Sequence, residues 1–128
     1  MPPKVNKLSV KHDNIAESEF QDLNMAGARF TNINLSQARF HDINFSDVQF
    51  TAAQIGGTLF KHIGPPPDKD GKQARQRPVT FEEAMLCDSV FRKVDLSNVK
   101  IIDCDLAGMT INGILVTDLL NEWKKRNG

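Results

Sequence analysis

Residues 20–60 read FQDLNMAGARFTNINLSQARFHDINFSDVQFTAAQIGGTLF, and a large apolar residue returns at every fifth position. The series is Phe20, Met25, Phe30, Leu35, Phe40, Phe45, Phe50, Ile55 and Phe60. It resumes as Phe81, Leu86, Phe91, Leu96, Ile101, Leu106 and Ile111. A helix face recurs every 3.6 residues and a strand face every 2. A period of five fits neither, so the spacing predicts a chain that turns a corner once per repeat.

A second, smaller set stands two residues earlier in each repeat. It reads Ser18, Leu23, Ala28, Ile33, Ala38, Ile43, Val48, Ala53 and Thr58, then Val79, Ala84, Ser89, Val94, Val99, Cys104 and Met109. Residues two apart in extended backbone point the same way. Each pentad is therefore a short extended side with two inward residues. The residues after the large one are mostly Ser, Thr, Gly, Asn or Asp, which favour turns. Four such sides would close a square coil of about twenty residues, with coils stacked at about 4.8 Å. Phe20, Phe40 and Phe60 would then form one internal column, and Phe30 and Phe50 another.

The repeat resembles the pentapeptide repeat family, most closely at Ala28-Arg29-Phe30-Thr31-Asn32, Ile33-Asn34-Leu35-Ser36-Gln37, Val94-Asp95-Leu96-Ser97-Asn98 and Cys104-Asp105-Leu106-Ala107-Gly108. The resemblance implies an all-β fold, a right-handed quadrilateral β-helix of about four coils. Departures are Arg29, Arg39, Gln49 and Gln54, where Asp or Asn is commoner, and Glu82 and Glu83 after Phe81. The expected structural core is Phe20, Phe30, Leu35, Phe40, Phe45, Phe50, Ile55, Phe60, Phe81, Leu86, Phe91, Leu96, Ile101, Leu106 and Ile111.

One domain is the expectation for 128 residues. Coils would occupy about residues 13–63 and 79–111, an inserted loop 64–78, and a C-terminal cap 112–128. Phe60 and Phe81 are 21 residues apart, one more than a multiple of five, so the repeat does not run through unbroken. The insert carries three consecutive prolines, Pro65 to Pro67, and almost no apolar residue besides. Proline cannot donate to a ladder, and the segment is expected to be extended at first and mobile later. After Ile111, Asn112-Gly113 marks a turn, and 117–126 reads as a short helix with Thr117 as N-cap. Val116, Leu119, Leu120 and Trp123 would share one face. That face is expected to cover the open end of the β-helix, where strand edges and core are otherwise exposed, or to serve as a homodimer contact.

Sixteen basic and sixteen acidic residues cancel overall. Residues 18–60 hold Glu19, Asp22, Asp42 and Asp47 against Arg29 and Arg39, a net −2. Residues 79–111 hold Glu82, Glu83, Asp88, Asp95, Asp103 and Asp105 against Arg92, Lys93 and Lys100, a net −3. The insert has the opposite sign, with Lys69, Lys72, Arg75 and Arg77 against Asp68 and Asp70, a net +2. Those four cations are the candidate contact for an acidic partner, and the competing reading is a solvated loop. No aromatic residue is interleaved for base stacking, so direct nucleic-acid binding is not expected.

No twenty-residue apolar run and no apolar leader segment are present, so a cytoplasmic protein without a membrane span is expected. Cys87 and Cys104 match no metal or C-x-x-C spacing. Cys104 falls at an inward position, Cys87 at an outward one, and no disulfide is expected. No G-x-G-x-x-G, P-loop, H-E-x-x-H or G-x-S-x-G motif occurs. His12, His41 and His62 are scattered. His62 would stack one coil beyond Asp42 and two beyond Asp22, and this column is the one candidate for acid–base or metal chemistry. Its plain reading is a surface ion pair. A filled tube offers no substrate cavity, so neither enzyme activity nor a cofactor is expected.

The function expected from these readings is a protein-interaction or structural module, monomeric or dimeric through its C-terminal end. The family resemblance adds an alternative. Some pentapeptide repeat proteins mimic B-form DNA and bind type II topoisomerases, protecting them from quinolones or toxins. Sixteen pentads make a rod of only about 20 Å. Duplex DNA carries about twelve charges over that length. The coil body here carries a net −5, summed from the −2 and −3 of its two runs. Charge density therefore favours the interaction module.

Overall fold

A computed structural model describes residues 4–128 of the chain, which divides into two units, Met1–Leu59 and Phe60–Gly128. Within both, the corner at every fifth residue is present. Left-handed backbone falls at His12, Glu17, Asp22, Gly27, Asn32, Gln37, Asp42, Asp47, Ala52, Gly57 and His62. It returns at Glu83, Asp88, Lys93, Asn98, Asp103, Gly108 and Gly113. From Glu17 onward each of these stands two residues after a large apolar residue. Asn and Asp tolerate this conformation better than other residues with a side chain, which explains their frequency there.

The corners are of two alternating kinds. At Ile15, Met25, Leu35, Phe45 and Ile55, and again at Leu86, Leu96 and Leu106, the carbonyl accepts from the N–H three residues on, at 3.0–3.3 Å. Positive φ at only the third residue of these turns marks them as type II. At Phe20, Phe30, Phe40, Phe50, Phe60, Phe81, Phe91 and Ile101 the chain bends without such a bond. The kinds alternate strictly, so the structural period is ten residues.

Side chains follow the same alternation. Asn14, Asn24, Asn34, Asn44, Asp95 and Asp105 precede bonded corners, and each Oδ1 accepts from the N–H two residues on at 2.9–3.0 Å. These Asx bonds hold the entry to the turn. Glu19, Arg29, Arg39 and Gln49 precede open corners. Three of the departures from the family pattern, Arg29, Arg39 and Gln49, thus stand where an Asn would have no turn to support. Gln54 differs, since the corner after it is bonded through Thr58 N–H and Ile55 O.

The large residues lean toward one another around the corners. Phe40 and Phe45 meet edge to face at 5.5 Å, and Phe45 and Phe50 lie tilted at 5.9 Å. The residues assigned to a core are nonetheless not enclosed. Exposure runs from 39% at Ile55 to 71% at Phe50, with only Leu86 and Leu106 in the half-buried range. The reason is the range of the contacts, which among the described residues join almost only near neighbours in sequence. Corners form from five local residues. Burial of the large residues requires contacts between residues far apart in sequence.

The regular elements lie at the C-terminus. β1 (Thr110–Ile111) pairs antiparallel with β2 (Ile114–Leu115), Thr110 opposite Leu115 and Ile111 opposite Ile114. Asn112 and Gly113 both have positive φ, the type I′ turn that matches strand twist. β2 runs directly into α1 (Val116–Asn127). Thr117 is therefore not the N-cap. Leu115 takes that place in extended backbone with no side-chain cap bond. The strand-to-helix join satisfies an N-terminal donor differently, because Val116 N–H donates to Met109 O at 3.0 Å. Asp118 near the start and Lys124, Lys125 and Arg126 near the end suit the helix dipole. Val116 is buried and Leu106 and Met109 are half-buried, so this joint is the most sheltered part of its unit. No helix among the described residues is long and apolar enough to cross a membrane.

Candidate functional site

The inserted segment is a folded hairpin, not an extended and then mobile loop. Asp68 N–H donates to Lys72 O at 2.8 Å, and Gly71 N–H donates to Asp68 O at 3.0 Å. Pro67 is bridged antiparallel to Gln73. Lys69, Asp70 and Gly71 form the tip, with Gly71 at φ +77°, the three-residue loop in which glycine supplies the left-handed position. Asp68 Oδ1 fastens the turn from inside, accepting from both Asp70 N–H and Lys72 N–H at 2.9 Å. The prolines have no N–H to offer, so a side chain closes the foot of the hairpin. Gln73 Nε2 donates to Pro65 O at 2.8 Å and to Ala74 O at 3.0 Å. Pro65 and Ala74 are half-buried as a result.

This arrangement sorts the four candidate cations. Lys69 is on the tip and Lys72 directly follows it, on a rigid turn. Of the two hairpin carboxylates, Asp68 is committed to backbone donors. Arg75 and Arg77 lie on the returning arm. Arg75 acts on Asp95, whose carboxyl is held below its ordinary value. The largest cause is the Ser97 hydroxyl bond, then the Ser97 N–H bond, with partial desolvation opposing and the Arg75 charge adding to the lowering. The Arg75 charge is the smallest of these influences, and all four cations of the hairpin are exposed.

The other candidates are placed as follows. Leu119, Leu120 and Trp123 line an exposed apolar stripe of α1. Cys87 and Cys104 are exposed free thiols. Asp22, Asp42 and His62 each occupy the left-handed position of an open corner. Among the described residues no three His, Cys, Asp or Glu side chains are grouped to hold a metal. His62, Ile63, Gly64, Pro65 and Gln73 line a shallow, open depression at the hairpin's foot. Sequence reasoning missed Asp68 and Gln73 as organisers of the loop. The signal was Asp68-Lys69-Asp70-Gly71, an Asp opening and a Gly closing a four-residue turn.

No curated protein and no solved structure matches the chain significantly. A family model does match: pentapeptide repeats, in eight copies, over residues 18–61. Repeats of this family imply a β-helix solenoid, and the left-handed corner at every fifth residue is the local geometry such a solenoid needs. Residues 18–61, about a third of the chain, therefore match pentapeptide repeats, and the same cadence of left-handed corners returns at Glu83, Asp88, Lys93, Asn98, Asp103 and Gly108.

Proposed function

We propose that this protein is a non-enzymatic interaction or structural module, a right-handed quadrilateral β-helix of about four coils that presents a rigid basic hairpin. The observation that carries the reading is the hairpin itself. Its turn is fastened by Asp68 and its foot by Gln73, and Lys69 and Lys72 stand at its outer end. A preorganised loop loses less conformational freedom on binding than a flexible one. The partner is a protein surface rich in carboxylates, complementary to the hairpin's net +2. In the coil, stacking brings the exposed large residues against their counterparts about twenty residues away and supplies the hydrophobic stabilisation. α1 covers the C-terminal end through Leu119, Leu120 and Trp123, or joins a second copy there. The protein works in the cytoplasm and needs no cofactor.

The test is a paired pull-down from native lysate with intact protein and with residues 65–77 replaced by a short Gly-Ser linker. A partner retained by the intact form, lost by the linker form and lost when Lys69, Lys72, Arg75 and Arg77 are all changed to Ala supports the reading. Undiminished binding by both altered forms refutes it. Should the partner be a type II topoisomerase, a supercoiling assay would decide whether protection is the function.

A further inference from the structure

We propose that the insertion leaves the coil at a single corner, that it adds eleven residues there, and that Ile63 consequently stacks beneath Val94. This rests on the four-sided coil proposed above.

The alternation of corners limits how many sides lie between Phe60 and Phe81. Both residues precede open corners, and everywhere else open and bonded corners alternate. Phe81 therefore does not follow Phe60 directly, because two open corners would then be adjacent. An odd number of sides must intervene, either one or three.

The hairpin decides between these. Three sides would lead the chain around the coil with a left-handed corner every five residues. Instead, residues 65–74 fold back on themselves, with Gln73 returning to the carbonyl of Pro65 at 2.8 Å. Between His62 and Glu83 the left-handed positions are Gly64 and Gly71, and neither continues the five-residue cadence. One side remains. Its inward pair is Ile63 and Pro65, which keep the spacing from Thr58 and Phe60. Pro65 is half-buried, unlike its neighbours in the chain. From Pro65 to Phe81 is 16 residues, one pentad plus an insertion of eleven.

The register beyond the insertion follows. Phe91 stacks over Phe60, Leu96 over Pro65 and Val94 over Ile63, each pair 31 residues apart. Asp95 then lies above Gly64, at the hairpin's foot. The influence of Arg75 on the Asp95 carboxyl agrees with that position.

Disulfide trapping tests the register. Stacked sides about 4.8 Å apart fall within the Cα separation a disulfide spans. All variants carry Cys87→Ser. The first pairs Ile63→Cys with Val94→Cys, and the second pairs Ile63→Cys with Ala84→Cys, both with Cys104→Ser. The control pairs Ala84→Cys with the native Cys104, twenty residues apart within one uninterrupted run. Peptide mapping without reduction identifies the bonds. The proposal expects the first pair and the control to close and the second pair to remain reduced. Closure of the second pair instead means three intervening sides and overturns it. Closure of the control alone means the whole insert leaves the coil, which also overturns it while the four-sided reading stands. Failure of the control removes the four-sided reading and the register with it. Should a variant not fold, backbone proton contacts by nuclear magnetic resonance in the unmodified protein decide, between residues 63 and 94 as expected or between 63 and 84 as refutation.

Discussion

Replacing Gln54 with Asn should stabilise the protein, and replacing Gln49 with Asn should not. Both glutamines precede a large apolar residue, Ile55 or Phe50, and both depart from the Asn that the repeat favours. The corner after Ile55 is bonded, with Thr58 N–H donating to Ile55 O at 3.0 Å. The corner after Phe50 is open. An Asn at 54 places its Oδ1 where Asn34 and Asn44 already accept from Ser36 and Ser46 N–H at 2.9 Å. Glutamine carries one methylene more, and no such bond from Gln54 is present among the described residues. A net intramolecular hydrogen bond is worth about 0.5–1.5 kcal/mol, and these turns are exposed, so about 0.5–1 kcal/mol is expected. With an unfolding entropy of about 2.1 cal/mol/K per residue, that raises the midpoint by about 2–4 °C. Asn34→Ala should lower it by a similar amount, since water replaces the lost acceptor only in part. Thermal unfolding followed by circular dichroism reads all three. Equal gains from Gln54→Asn and Gln49→Asn, or an unchanged midpoint in Asn34→Ala, would refute the division into two kinds of corner.

Asp68→Ala removes both side-chain bonds inside the hairpin turn and should speed exchange of the Lys72 amide about tenfold, read by hydrogen exchange. Ser97→Ala should raise the Asp95 carboxyl toward its ordinary range. Because the folded-state value is depressed, Asp95 contributes stability above its unfolded value, and that is lost as pH falls through the folded value. Carbon-detected titration should therefore show Asp95 shifting on Ser97→Ala, and a smaller rise in high salt as the Arg75 charge is screened. Phe40→Asp should abolish the cooperative unfolding transition if stacking places that side chain inside the coil, since burying an unpaired carboxylate costs several kcal/mol. A folded variant with an unchanged midpoint would sink the inward register. Leu120→Glu should lower stability equally at all protein concentrations if α1 covers the coil's end. A concentration-dependent midpoint in the parent, lost in the variant, marks a dimer contact instead.

The five-residue cadence was legible because a turn is a local object. Each corner draws on a large residue and the two that follow it, and most bonded corners also on the Asn or Asp just before. All of these lie within one reading window. The alternation was also written in the chain, as Phe or Ile at open corners and mostly aliphatic residues at bonded ones. It escapes a reading that takes Arg29 and Arg39 only as departures from the family pattern and not as marks of a second kind of corner. The hairpin was misread for a different reason. Consecutive prolines suggest extension, and that inference holds for Pro65 to Pro67 themselves. What reverses the chain is Gly71 together with the Asp68 acceptor, and what closes it is Gln73, eight residues from the carbonyl it reaches. The start of α1 was misplaced because capping rules assume a free helix end, whereas Val116 finds its acceptor in Met109, before the hairpin that precedes the helix.

A ten-residue structural period has a consequence for how such an array can change length. Loss of a single pentad, for example 36–40, would join Leu35 to His41 and bring two bonded corners together. In the proposed stacked coil, every later Asn would then fall on the opposite kind of face from the Asn residues one coil away. Loss or duplication of two pentads leaves each face with its own kind of corner. If the sides stack as proposed, the decapeptide is the unit whose gain or loss keeps this pattern, and deletions of an odd number of pentads should lower the thermal midpoint more than longer deletions of an even number.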